Sequence, residues 1–198
     1  VQAQYFKNIE KYQFNEIASL IYHFTWHTFC DWYIEFIKSD FANDEKSEET
    51  KKVSGWIFIQ ILKLLHPIMP FITEKLWLSL VDSQSFLMSQ NFTKITFDDS
   101  FIKSNKYTKK VIEVMTALRN LRADLNISYK NEIEIFVETK NEDLKKFINN
   151  FQNEFKRLIK TKSIKFEKVS SQKKSAFIVL NEITILVPLE GIVDTEKE

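Results

Sequence analysis

The sequence predicts an α+β protein, a mainly α-helical bundle followed by a small β-α-β-β module. Three observations predict it. Apolar residues recur at three- and four-residue steps from Phe14 to Lys38, from Glu49 to Leu65, and again from Tyr107 to Leu125, which is the helical period. At Glu132 the pattern changes to polar and apolar alternation in EIEIFVE, the signature of a half-buried strand. SIKFEKV, AFIVL and EITILVPL read as three more strands, after one further helical stretch from Glu142 to Lys160.

The first helical stretch, Phe14 to Lys38, carries Phe14, Ile17, Ile21, Phe24, Phe29, Trp32 and Phe36 as its stripe. Leu20, Trp26, Tyr33 and Ile37 broaden it, so the helix is expected centrally in a bundle with neighbours on two sides. Asp40 to Lys52 is acidic and polar and reads as a solvated loop before the next helix. Pro67 ends or kinks that helix, since it lacks a backbone donor and crowds the residue before it. Pro70 suits the first turn of another helix, where Phe71, Leu76, Trp77 and Leu80 are expected to be buried. Residues 1–81 therefore form a helical bundle and 82–106 a connecting segment with no helical period. Residues 107–130 give a further bundle helix, with Val111, Val114, Met115, Leu118, Leu121 and Leu125 inward. Residues 131–198 form the β-α-β-β module, its last two strands joined across Asn181 and Glu182 as a hairpin.

Composition bounds the function. The 198 residues are 44% hydrophobic with only 2 Gly and 3 Pro, which excludes collagen-like and disordered chains. The single cysteine, Cys30, excludes an internal disulfide and fits a cytoplasmic protein. No apolar run approaches the ~18 residues of a membrane span, and the N-terminal stretch is too polar for a signal peptide, so no membrane partner is expected. A net charge of +1 removes any global electrostatic reason to expect nucleic acid, and DNA is not an expected partner. With Gly55 and Gly191 alone, the chain has no glycine-rich phosphate loop.

Local patterns carry more. His23, His27, Cys30 and Asp31 share one helical face at spacings of three and four, the geometry of a zinc site. No Glu stands where a metalloprotease helix needs one and nothing marks an oxyanion site, so packed or capped histidines and a small buried Cys30 are the preferred reading, with no metal. Tyr22, Trp26, Phe29, Trp32 and Tyr33 could stack bases, although most of these rings are expected in the core. Arg119 and Arg122, three apart, and Lys109 and Lys110 make a cationic edge on one exposed helix face that could meet phosphates. From Asn141 to Ser175 there are ten Lys or Arg against four acids, a basic half-domain that the neutral total hides.

Four segments, FNEIASLIYHFTWHTFCDWYIEFIK, LLHPIMPFITEKLW, ALRNLRADLNIS and VPLEGIVD, resemble in that order the C-terminal part of the valyl-tRNA synthetases, class I aminoacyl-tRNA synthetases. The Phe29 to Tyr33 run followed by His66-Pro67 to Glu74 favours the valine enzymes over their isoleucine and leucine relatives. The resemblance implies an anticodon-binding bundle, then a small α+β module leading at Pro188 to Asp194 toward a coiled coil. It implies valine tRNA as partner, together with the catalytic and editing domains of the same enzyme. The catalytic signatures, the editing domain and the family's first bundle helix have no counterpart in these residues, so the chain is expected to be a fragment, inactive alone. ATP and Mg are expected only for the full-length enzyme, and no cofactor for this piece.

The resemblance further implies that Ile34 and Glu35, ending the first long helix, face the anticodon loop. Glu35 could accept a hydrogen bond from an exocyclic amino group, and Ile34 could cover the face of a base. With Lys109, Lys110, Arg119 and Arg122 as backbone contacts, these are the expected RNA-binding residues. The alternative from another class is a helical protein-interaction module without RNA binding.

Overall fold

The stripe that starts at Phe14 becomes one continuous helical run of three parts. In the computed structural model, which describes residues 1–42, 44–81, 85–93, 95–96, 98–167 and 175–190, α2 (Phe14–His23) passes into a π-helical stretch (Phe24–Ile34) and then a single α-turn, α3 (Glu35–Ile37). A short helix, α1 (Gln2–Glu10), precedes it and inserts Tyr5, 1% exposed, among Ile17, Ile21 and Leu64. Burial pushes the Tyr5 phenol upward from its ordinary value.

The helix after the acidic stretch, α4 (Asp44–Leu65), begins five residues before the expected Glu49. The solvated loop read over Asp40 to Lys52 is in fact mostly helix. The reason is composition: Glu and Lys are good helix formers, acids suit a first turn, and Lys51 pairs with Glu48 at 3.3 Å one turn away. After the Pro67 corner, α5 (Pro70–Leu80) starts on Pro70 as expected. Its inner face is Thr73 and Trp77, with Leu76 half-buried, whereas Phe71 is 91% exposed and Leu80 is exposed, against expectation. Leu62, Trp77 and Leu87 form the second small core of this half.

The chain divides into two compact units, Val1–Ile95 and Thr96–Glu198. Helix α6 (Asp99–Asp124) starts within the stretch read as a connector, capped by the Asp98 carboxylate accepting from the Ser100 and Phe101 amides. It belongs to the second unit rather than to the first bundle.

The second unit is a four-stranded sheet of order β2-β1-β4-β3, built from β1 (Ile133–Thr139), β2 (Thr161–Lys165), β3 (Ser175–Leu180) and β4 (Ile183–Pro188). Strand β1 runs parallel to β2 and antiparallel to β4. The parallel step requires a crossover, supplied by α7 (Glu142–Asn150) and α8 (Gln152–Ile159), which replace the single helix expected there and meet at Phe151. Ile133, Ile135 and Val137 of β1 and Ile185 and Val187 of β4 are buried, as are Leu144, Ile148, Phe155 and Ile159 of the two crossover helices. β3 and β4 are the expected hairpin: Leu180 pairs with Ile183, and Asn181 takes a φ of 27°, which Asn tolerates better than most residues. Pro188 and Leu189 lie within the described residues, but the run from Gly191 that was expected to lead to a coiled coil lies outside them.

Candidate nucleic-acid interface

The helical run turns a row of rings outward where α2 passes into the π-helical stretch. Tyr22 and Trp26 are 56% and 55% exposed, with ring planes within 8° and centroids 6.4 Å apart. His23 stacks on His27 at 5.4 Å on the same side, and Tyr22 meets His27 edge-on at 6.0 Å. The rings hold one another in place, so a ligand stacking on them would not have to order them first. Phe29 is buried against Tyr33 and Phe58, and Trp32 and Tyr33 are half-buried. Of the five aromatics assigned mainly to the core, two therefore face solvent.

The expected burial of the His and Cys residues is also corrected. His23, His27, Cys30 and Asp31 are all exposed. Their spacing sets them along the face opposite Ile17, Ile21 and Phe29, so the stripe that buries those residues turns these out. His27 Nδ1 lies 3.3 Å from the Asp31 carboxylate one turn on. Among the described residues no group of three or more His, Cys, Asp or Glu could hold a metal ion.

Ile34 and Glu35 sit at the junction of the π-helical stretch and α3, both half-buried. The Glu35 carboxylate accepts from Lys38 one turn later. These two lie in the first unit; Lys109, Lys110, Arg119 and Arg122 lie in the second. Within α6 the four do not form one cationic edge. Lys109 is exposed, but Lys110 is drawn onto the β3-β4 turn, its ammonium 2.5 Å from Glu182, whose carboxylate this contact holds below its ordinary value. Arg119 is half-buried.

Arg122 is the clear correction. It is 4% exposed, not on a solvent face, and its Nη2 donates to the carbonyls of Ser128 at 2.5 Å and Asn131 at 2.8 Å. Burial lowers the pKa of the guanidinium, which also lies over the Tyr129 ring at 5.4 Å. The phase of the helix explains it: Val111, Val114, Met115 and Leu118 are fully buried, and one turn beyond Leu118 the same stripe reaches Arg122.

The HPIMPFITEKLW segment is a hydrogen-bonded corner that sequence reasoning valued only as a family signature. Glu74 Oε1 accepts from the Leu87 amide at 2.9 Å, and Trp77 Nε1 donates to the Ser85 carbonyl at 2.9 Å. His66 Nδ1 lies 2.8 Å from Thr73 Oγ1, and its Nε2 3.9 Å from Glu74. The polar residues at fixed offsets from two prolines were the available signal. Together they tie the α4-α5 turn to the segment after α5.

A helical unit with an outward row of rings, followed by a small mixed sheet, is the setting for the comparisons with known proteins. The family described as the anticodon-binding domain of tRNA ligase matches residues 1–137, and the chain belongs to that family. Its curated relatives include the valine-tRNA ligase of Zymomonas mobilis subsp. mobilis, 34% identical over 97% of this chain and 22% of that protein. The valine-tRNA ligase of Syntrophotalea carbinolica is 30% identical over 100% of this chain and 23% of its own length, and that of Lactobacillus johnsonii 31% identical over 96% and 22%. The chain thus spans less than a quarter of the length of these relatives. Among the described residues no helix is long and apolar enough to cross a membrane.

Proposed function

We propose that this chain is the tRNA-recognising part of a valine-tRNA ligase, which binds the anticodon of valine tRNA so that a catalytic region elsewhere in the enzyme attaches valine. The family match over residues 1–137, with relatives named valine-tRNA ligase along the whole chain, carries the reading. The exposed Tyr22-Trp26 pair and the Ile34-Glu35 junction support it on one continuous helical run: the rings offer faces for splayed bases, and Glu35 offers an acceptor for a base amino group. Binding at the anticodon would work by fixing register, holding the far end of the tRNA in productive geometry. ATP and Mg would be handled by the catalytic region, and this piece would be inactive alone.

A gel-shift titration tests the proposal. Valine tRNA transcripts with intact and rewritten anticodons should differ in affinity, and binding of both should weaken as salt rises. Equal and negligible binding of the two by folded protein would refute it. That outcome would favour a protein-interaction module, for which the specific support is the apolar surface of Phe71, Leu78, Phe86 and Met88 around α5.

A further inference from the structure

The second unit holds a small polar cavity of about 130 Å³ between α8 and β2, lined by Gln152, Lys156, Thr161, Lys162, Ser163 and Ile164. Thr161 is only 2% exposed, yet its Oγ1 has no hydrogen-bond partner among the described residues, and neither has Ser163 Oγ. A buried hydroxyl without a partner is costly, so two on one short strand call for an explanation. Water could satisfy the hydroxyls alone. It does not explain why lysines come from both walls, Lys156 from α8 and Lys162 from β2.

The placement of Lys162 is specific. Ile133 pairs with Thr161 and Glu134 with Ser163, so Lys162 is the extra residue of a β-bulge in an otherwise regular parallel pair. The bulge sits in the edge strand of the sheet, where half the backbone groups face away from β1. Lys162 reaches Glu134 only at 3.9 Å, a carboxylate that also lies 3.7 Å from Lys165. Neither Gln152, whose amide donates to Asn149, nor Ile164 brings negative charge to the cavity. Two lysines, two unpartnered hydroxyls and a strand edge line the cavity with donors suited to a compact acceptor with several oxygens.

We propose that this cavity is a phosphate site, with Lys156 and Lys162 supplying charge and Thr161 and Ser163 supplying hydrogen bonds. The phosphate is either one of an RNA backbone or a free phosphate ion. The described residues 141–167 carry seven Lys or Arg against four acids, an excess that would raise the local concentration of either. The site goes beyond anticodon reading, since a backbone contact would position RNA without reporting its sequence.

Two arms test it on the whole chain. Inorganic phosphate titrated into isotope-labelled protein should give saturable shifts of the Thr161 to Ile164 amides, abolished by Thr161→Val. That substitution keeps the shape and removes an unpartnered oxygen, so the fold should persist and the melting temperature should not fall. In the second arm, Lys156→Gln/Lys162→Gln should weaken intact and anticodon-altered transcripts equally and lower the salt-dependence exponent by about 2. Both results assign the cavity to backbone phosphate. Phosphate shifts with an unchanged exponent assign it to free phosphate. Absence of saturable shifts overturns the proposal, even if the exponent falls. Because the two transcripts are affected alike, failure here is distinct from failure of anticodon discrimination.

Discussion

Arg122 Nη2 stands 2.8 Å from the carbonyl oxygen of Asn131, and this bond stitches the end of α6 to the chain entering β1. The same nitrogen holds Ser128, and the Ile127 amide returns to the Arg122 carbonyl at 2.8 Å, so one residue closes the loop in both directions. Hydrogen bonds that involve a charged group contribute about 1.5 to 3 kcal/mol. Arg122→Met should therefore destabilise the second unit by about 2 kcal/mol or more, read as a lower urea midpoint. Arg122→Lys should recover only part of it, because an ammonium lacks the planar fork. Transcript binding at low temperature should keep its salt exponent, and a loss of one unit there with unchanged stability would restore Arg122 to the RNA surface.

Lys110 and Glu182 make the second unit acid-sensitive. The Lys110 contact holds the Glu182 carboxylate below its ordinary value, and Lys103, 2.8 Å from Asp143, does the same for that residue. A carboxylate depressed by folding stabilises the fold above its unfolded pKa, and the benefit is lost as pH falls through the folded value. The melting temperature should thus decline as pH drops below about 4.5, the ordinary Glu value. Glu182→Gln should flatten that decline more than Asp143→Asn, because Lys110 is 17% exposed and Lys103 59%. Equal curves for wild type and both variants would show that neither pair matters.

Much of the fold was legible because its periods are strong. Alternation in EIEIFVE follows from the buried face that Ile133, Ile135 and Val137 share, and Asn181 marks the turn that joins β3 to β4. The helix starts were harder. Asp44 to Glu48 and Asp99 to Lys106 carry few apolar residues with a helical period, so charge pairs and the Asp98 cap, rather than burial, decide them. The site was less legible than the fold. Tyr22 and Trp26 belong to a stripe that covers more than half the helix, and sequence periodicity does not say which part of so wide a stripe lacks a neighbour. Arg122 was misread because its spacing from Arg119 was weighed and its phase with Leu118 was not.

Gly55 sits inside α4, and a Cβ built there meets nothing within 4 Å. A mid-helix glycine costs about 0.5 to 1 kcal/mol relative to alanine through the extra freedom of the unfolded chain. Gly55→Ala should stabilise the first unit by roughly that amount in chemical denaturation, with no change in transcript affinity. Destabilisation would mean that the glycine is needed for close approach by another part of the polypeptide.

Trp26 and Glu35 should separate stacking from reading. An exposed ring that stacks one base is worth about 1 to 3 kcal/mol by alanine substitution, with little regard to which base it meets. Trp26 is 55% exposed, so Trp26→Ala should cost little stability while weakening both intact and altered transcripts. Glu35 already holds Lys38, so a base amino group recruited to it would share the carboxylate. Glu35→Gln keeps an acceptor but adds an amide donor and removes the charge. It should therefore narrow the gap between intact and rewritten anticodons rather than weaken both. If Trp26→Ala leaves every transcript unaffected, the rings face protein rather than RNA; if Glu35→Gln preserves the full gap, the triplet is read elsewhere on the molecule.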